Sequence, residues 1–416
     1  MYALGVLLFA VAIAGSIMLH EAGHMVSAKR FGMKVTQYFL GFGPTLWSFR
    51  RGETEYGVKA IPAGGFVKII GMTPLEDEGD TNEPRAFWRA PVWKRTIVLS
   101  AGSITHFALG FVLLYVCALF AGLPVNPSNE PARIEAVAPC VVVSYETTSS
   151  GGLRNCRPTD PAGPANVAGL HPGDQIVAVG GRSTPTQSEM LKAIRSSPAG
   201  PTPVTYIRDG KRDTVNVSLV SVSRPPLDPN SSASKREQVS AIGVLLALPP
   251  PTRTYGPVDS LGQSANFTGQ FFKGTFTAIA AFPEKIPMLV EALRPGSQRD
   301  PNGPISVVGA SRLGGEALAT KTPGGATTFL LILAGLNFFI GVFNLFPLLP
   351  LDGGHIAVIW YERVRSWIAA RFGRPDPGRV DYTKLLPVTY VVIVIFGGIS
   401  LLTIAADIVN PVRLFQ

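Results

Sequence analysis

"SIMLHEAGHM", residues 16–25, sets two histidines and a glutamate at the end of a run that has carried no charge since Met1. A bilayer crossing needs roughly 20 mostly apolar residues. The run 2–27 meets that length, as do 96–123, 327–349 and 385–409. Inside a membrane a charged side chain costs about 3 kcal/mol unless it is paired or functional. His20, Glu21 and His24 therefore call for a chemical reason.

Composition agrees with a membrane protein. Of the 416 residues, 46% are hydrophobic and 16% charged, and the mean hydropathy is positive. The first run lacks the basic start and small-residue cleavage site of a secretory signal, so it is expected to stay in the mature chain. The formal charge of +9 is not a nucleic-acid footprint, because the basic residues crowd the loops between spans one and two and between spans three and four. The positive-inside rule makes both loops cytoplasmic and the long middle segment external. An oxidising exterior permits a disulfide between Cys140 and Cys156.

The fold class expected is a polytopic α-helical membrane protein: four transmembrane helices, a β-hairpin on the cytoplasmic side and a small extracytoplasmic α/β domain. The expected segments are a first span at 1–28, a cytoplasmic-side β-loop at 29–95 and a second span at 96–123. An external domain at 128–222 follows, then a linker at 223–262 and an amphipathic, interfacial segment at 263–326. A third span at 327–355, a cytoplasmic loop at 356–384 and a fourth span at 385–410 complete the chain. In the β-loop, runs 46–50 and 54–61 flank "RGE", a hairpin signal, and "TPLEDEGDTNEPRA" (73–86) reads as a solvated turn. Within 166–220 the order is strand, short helix and two strands about "RDGKR". "SRPPLDPNSSASKREQ" (223–238) reads as a polar linker. Phe267, Phe271, Phe272, Phe276, Ile279 and Phe282 recur at near-helical spacing, which fits either a helix packed on its own protein or one lying in the membrane interface.

"HEAGH" is an H-E-x-x-H pattern. Residues four apart on a helix share a face, so His20 and His24 can grip one zinc ion while Glu21 stands beside it as general base. Five histidines and fifteen glutamates in 416 residues give only about 0.002 such matches by chance. A catalytic zinc usually takes three protein ligands plus water, and the third must also lie at membrane depth. "NLFPLLPLDGGHIAV" (344–358) offers Asp352, whose rival roles are a helix N-cap and whose rival ligand is His355. Gly353 and Gly354 would let backbone pack close to the metal helix, and Pro347 and Pro350 break the helix there. His106, in the second span, reads as a polar residue that bonds a neighbouring helix. His171 belongs to a surface loop.

With these motifs the chain resembles the site-2 proteases, intramembrane zinc metalloproteases, and among them the bacterial regulators of sigma-factor signalling, most of all the actinobacterial members. HEAGH and LDGG look like that family's metal motifs. "GFGPTLWSFRRGETEYGVKAIPAGGFVKI" (41–69) looks like its membrane-associated β-loop, and "AGLHPGDQIVAVGG" (168–181) like the core of its external PDZ domain. The resemblance implies that His20, His24 and Asp352 bind zinc, that Glu21 activates water and that Asn344 helps hold the substrate backbone. It also implies a multi-pass plasma-membrane enzyme whose substrate is a single-pass membrane protein of anti-sigma-factor type, already shortened by an upstream site-1 protease. Membrane lipid is a partner and nucleic acid is not. Three places depart from the family pattern: "PLLP" stands where P-x-P is frequent, Gly102, Ser103 and His106 stand where Gly-Pro and Asn are frequent, and the PDZ region has no Gly-Leu-Gly-Phe loop. The competing class is a catalytically inactive PDZ-containing membrane scaffold, which gives no use to Glu21.

Overall fold

The computed structural model describes residues 2–72, 83–144, 154–227, 236–294, 299, 303–319 and 324–412. Most of the turn expected at 73–86, and 228–235 of the expected linker, lie outside these residues. The chain divides into two units, Met1–Leu123 with Thr252–Gln416, and Pro124–Pro251.

In the first unit, four helices are long and apolar enough to cross a membrane. They are α1 (Tyr2–Arg30), α2 (Val92–Val116) prolonged by a π-helical turn at Cys117–Ala121, α7 (Gly325–Asn344) and α9 (Leu386–Val409). Large apolar side chains point outward along α1 and α9, among them Leu4, Leu7, Val11, Val388, Val394 and Leu401. In water such faces would be a liability, whereas in lipid they need no partner.

The helices meet where side chains are small, as membrane helices do. A Cβ at Gly23 would stand 2.6 Å from both the Ala101 carbonyl and Thr105 Oγ1, so only glycine lets α1 and α2 cross there. Between α2 and α7, Gly110 receives the Phe338 ring in the same way. Two more helices complete the unit: α5 (Pro257–Glu291) and α6 (Val307–Ala319). Phe267, Phe271 and Phe272 of α5 pack on Leu114, Ala334 and Phe338, with Phe271 and Phe338 stacked at 5.6 Å. The aromatic stripe of 263–326 is thus seated on its own protein, while Phe276, farther along, is exposed. Helix α6 is buried against Phe9 and Ile13 of α1 and Leu333 of α7.

Three expected boundaries change. The span expected at 327–355 is not one helix: α7 stops at Asn344, residues 345–351 form a turn with a cis peptide at Leu349–Pro350, and α8 (Asp352–Arg371) starts afresh. Pro347 and Pro350 remove two backbone donors, and the helix cannot run through them. Much of the loop expected at 356–384 is then helix α8. The third change is in 223–262, which holds strands and the start of α5 as well as linker.

The β-loop folds more tightly than a simple hairpin. Strands β1 (Val35–Arg51) and β2 (Thr54–Ile69) bend, so that 37–40 pair with 65–68 on one side and with 55–58 on the other, while 45–51 pair back onto 54–59. Two long strands thereby supply four sheet segments, with 65–69 at one edge. Tyr38 Oη donates to the Met18 carbonyl at 2.6 Å and Lys29 Nζ to Tyr56 Oη at 2.8 Å, pinning the sheet to α1.

The chain enters the second unit through β3 (Leu123–Pro124) and leaves it through β11 (Thr252–Arg253). Between lie β4 (Ala132–Val137), α3 (Pro164–Val167), β5 (Gln175–Val179), β6 (Arg182–Ser183), α4 (Gln187–Ser196), β7 (Gly200–Arg208), β8 (Lys211–Arg224), β9 (Glu237–Ala241) and β10 (Val244–Leu246). The sheet order is β10-β4-β5-β7-β8-β9, with β6 on β5. Ile176, Met190, Val204 and Val217 fill its core. Thr186 and Glu189 cap α4 reciprocally, which fixes where that helix begins. Asp174, fully buried, takes a two-pronged hydrogen bond from Arg208 at 2.7 Å on each arm. Cys140 and Cys156 are joined in a disulfide. The return of β9 and β10 to the sheet was not legible from 223–262, where proline and serine dominate the reading.

Candidate metal centre

His20 and His24 lie one turn apart on the buried side of α1 and Asp352 opens α8. The fold brings these three together. His20 Nε2 is 3.1 Å from His24 Nε2, and Asp352 Oδ2 is 3.3 Å from the first and 3.4 Å from the second. Among the described residues, this is the cluster of three potential metal ligands whose donor atoms lie within 4.8 Å of one another.

The spacing can be tested against a metal. Four ligands held tetrahedrally at about 2.0–2.1 Å stand about 3.3–3.4 Å apart, and zinc takes imidazole nitrogen and carboxylate oxygen at such lengths. The three observed separations bracket that edge. Two nitrogens and one oxygen facing one point suit a divalent ion better than they suit one another, because two imidazole Nε2 atoms in contact share at most one proton between them.

The three side chains are held in different ways. His24 Nδ1 lies 2.7 Å from the Val98 carbonyl of α2; the carbonyl can only accept, so the ring proton sits on Nδ1 and Nε2 presents its lone pair. Gly102, one turn on from Val98, leaves room for both rings, since a Cβ there would fall 2.5 Å from His20 Cε1 and 2.7 Å from His20 Nδ1. Asp352 is not the N-cap of α8: Leu351 holds that place, and Asp352 is the first helical residue, favoured there by the positive end of the helix dipole. Gly353 and Gly354 serve a different neighbour from the metal helix. A Cβ on either would strike backbone atoms of Leu345–Leu349, so the two glycines let the first turn of α8 close on the preceding turn and carry Asp352 inward.

Glu21, half-buried, lies on the side of α1 that faces the sheet. The Val67 amide donates to it, and Gly65 is close enough that its Cβ would stand 3.3 Å from Glu21 Cγ. The edge segment 65–69 thus runs past the carboxylate. Asn344 ends α7, half-buried and outside the triad. His355 also stays outside, its Nδ1 3.4 Å from Tyr382 Oη. His106 is fully buried and bonded to Asn337 of α7, the kind of interhelical bond expected for it. The sequence pattern does not single out Asn337, although an amide seven residues before Asn344 on an apolar helix is an available signal, and it marks Gly102 only as part of a departure from the family pattern.

A carboxylate and two histidines gathered by separate helices in a bundle of apolar spans, with a second carboxylate facing a strand edge, make the arrangement of a peptidase built into a membrane. The chain belongs to peptidase family M50, whose model matches residues 8–374. It is 44% identical over 416 residues to the zinc metalloprotease Rip1 of Mycobacterium tuberculosis (strain H37Rv), covering all of both chains. It is 43% identical over 420 residues to Rip1 of Mycolicibacterium smegmatis, again along the full length of both. A putative zinc metalloprotease of Nostoc sp., all3971, is 28% identical over 382 residues, 89% of this chain and 87% of that one.

Proposed function

We propose that this chain is a zinc-dependent endopeptidase that cuts single-pass membrane proteins within or near their transmembrane segment. The observation that carries the reading is the meeting of His20, His24 and Asp352 at the depth of apolar spans, at distances that match the edges of a zinc coordination sphere. Zinc bound there supplies Lewis acidity, making water a better nucleophile and polarising a carbonyl. Glu21 takes a proton from the attacking water and returns it to the leaving amine. Asn344, at the end of α7, holds substrate backbone.

A transmembrane helix hides its peptide bonds in its own hydrogen bonds, so it must unwind before it is cut. Segment 65–69 pairs only with 35–40 among the described residues, and its other edge, beside Glu21, is a template for strand addition. The break at 345–351 interrupts the helix beside the triad and so gives the unwound strand a place to lie, irregular backbone being tolerable at this depth where protein or water satisfies it.

The loops rich in Lys and Arg put the end of α1 in the cytoplasmic half of the plasma membrane, so one product leaves inward. The sheet-rich unit Pro124–Pro251 is on this reading an external PDZ domain that inspects or excludes substrates whose ectodomain has not been shortened. The substrate class is an anti-sigma factor after a first cut by a site-1 protease. The test is cleavage of a pre-shortened single-pass substrate in liposomes by wild type and Glu21→Gln, with bound zinc measured in both. Zinc in both and cutting by wild type alone supports the roles given; equal cutting removes Glu21 as base; no zinc and no cutting in either favours an inert scaffold.

A further inference from the structure

His24 has a backbone acceptor for its Nδ1 proton, and His20 has none: His20 Nδ1 is buried and makes no hydrogen bond among the described residues. Ligation through Nε2 requires that the ring proton sit on Nδ1, and a ligating histidine is normally held by an acceptor at that position. His20 Nδ1 faces α2 at Gly102. One turn farther along α2, the His106 ring lies against His20, centroids 4.9 Å apart and planes tilted by 39°.

The protonation of His106 follows from its neighbours. Asn337 Nδ2 donates to the Leu333 carbonyl at 2.8 Å and to Ser16 Oγ at 3.3 Å, so its amide cannot be flipped without setting oxygen against oxygen. Its Oδ1 is therefore the acceptor for His106 Nδ1–H, 2.8 Å away. A neutral imidazole with its proton on Nδ1 has a lone pair on Nε2. We propose that His106 is a positioning residue, whose Nε2 accepts the Nδ1 proton of His20 once His20 ligates the metal, and that the chain Ser16–Asn337–His106 holds one ligand from α7 and α2 as Val98 holds the other.

The proposal rests on the zinc reading above, and its test separates the two. The full chain in lipid is loaded with Zn2+ and titrated with a competing chelator, and loaded with Co2+ for its visible spectrum. The expected result is a zinc affinity 10–100-fold weaker in H106L, the usual loss when such a support is removed, with a shifted Co2+ band. H106Q keeps one donor and one acceptor and stays close to wild type. H106L/N337L removes both polar partners, avoids an orphaned amide oxygen if H106L alone fails to fold, and weakens zinc equally. Unchanged zinc affinity and an unshifted band in these Leu variants overturn the proposal. So does weakening by S103A without weakening by H106L, since the buried Ser103 hydroxyl would then be the acceptor. In both cases H20A still loses the metal. Wild type without zinc, or H20A that keeps it, overturns the metal assignment and this proposal together.

Discussion

Replacing Gly102 by alanine adds one methyl group at the point where α2 touches both histidines. The new Cβ would lie 2.5 Å from His20 Cε1 and 2.7 Å from His20 Nδ1, and closer still to His24 Nε2. Carbon contacts are comfortable at about 3.5–4.0 Å, so the clash needs roughly 1 Å of movement, about half the length of a zinc–nitrogen bond. If α2 backs away, the helix pair is overpacked at a cost of about 1–3 kcal/mol. If the rings turn, the donors leave the positions that match a metal, and misplacement of about 1 Å costs about 100-fold in rate. The second outcome is expected, because Gly23, which lies between the two histidines in α1, already holds α1 and α2 in close contact at Ala101 and Thr105. G102A should therefore fold and insert, hold zinc weakly and cleave a liposome-reconstituted single-pass substrate about 100-fold more slowly. Gly15→Ala, on the exposed side of α1 with nothing within 4 Å of the added Cβ, is the matched control and should behave as wild type. G102A with wild-type zinc content and rate would refute the argument.

Four further outcomes can be checked. Glu21→Gln should keep zinc and lose about 10²–10⁴-fold in cleavage rate, the usual share of a general base, measured in the same vesicles. Asp407 and Arg299, respectively 1% and 5% exposed, meet at 2.7 Å, so Asp407→Ala should destabilise the helical unit by about 3–5 kcal/mol whereas a double change to Met and Leu should cost far less; thermal unfolding in detergent reads both. Removing the Cys140–Cys156 disulfide, which links residues 16 apart in sequence, should cost the sheet-rich unit about 3 kcal/mol, read as lost hydrogen-exchange protection in β5 and β7. Burial pushes the Asp174 carboxyl up, but the Arg208 fork and the His171 amide outweigh it and hold it below the ordinary range. A depressed value in the folded state gives stability that is present above pH about 4 and lost as pH falls through the folded value. Exchange protection in β5 and β7 should fall on acidification below that range, and Asp174→Asn should remove this part of the pH dependence.

How much was legible beforehand varies by element. Four apolar runs are a one-dimensional signal, because a span needs only length and the absence of charge, and α1, α2 and α9 begin and end within a few residues of expectation. The H-E-x-x-H pattern is local as well: helical periodicity alone puts His20 and His24 on one face. The strand, helix and two strands of 166–220 follow from turn residues and alternation. By contrast, β9 and β10 join their sheet by pairing with β8 and β4, and isolated five- and three-residue segments carry too little pattern to announce that.

Several membrane crossings and an H-E-x-x-H pattern inside the first of them can be read from the chain alone, since both depend on spacing within single helices. The sequence also offered Asp352 as third ligand, with His355 as rival. Which of the two lies beside the histidines depends on long-range packing. Asp352 reaches the histidines because Pro347 and Pro350 end one helix and the glycines after it let the next start tight against the turn, while one helical turn sends His355 toward Tyr382. Tertiary structure also gave Gly102 its meaning as the gap that admits two imidazoles, and tied His106 to Asn337. Contacts between residues hundreds of positions apart leave no periodic trace in a chain, and the geometry of a metal centre is made of such contacts.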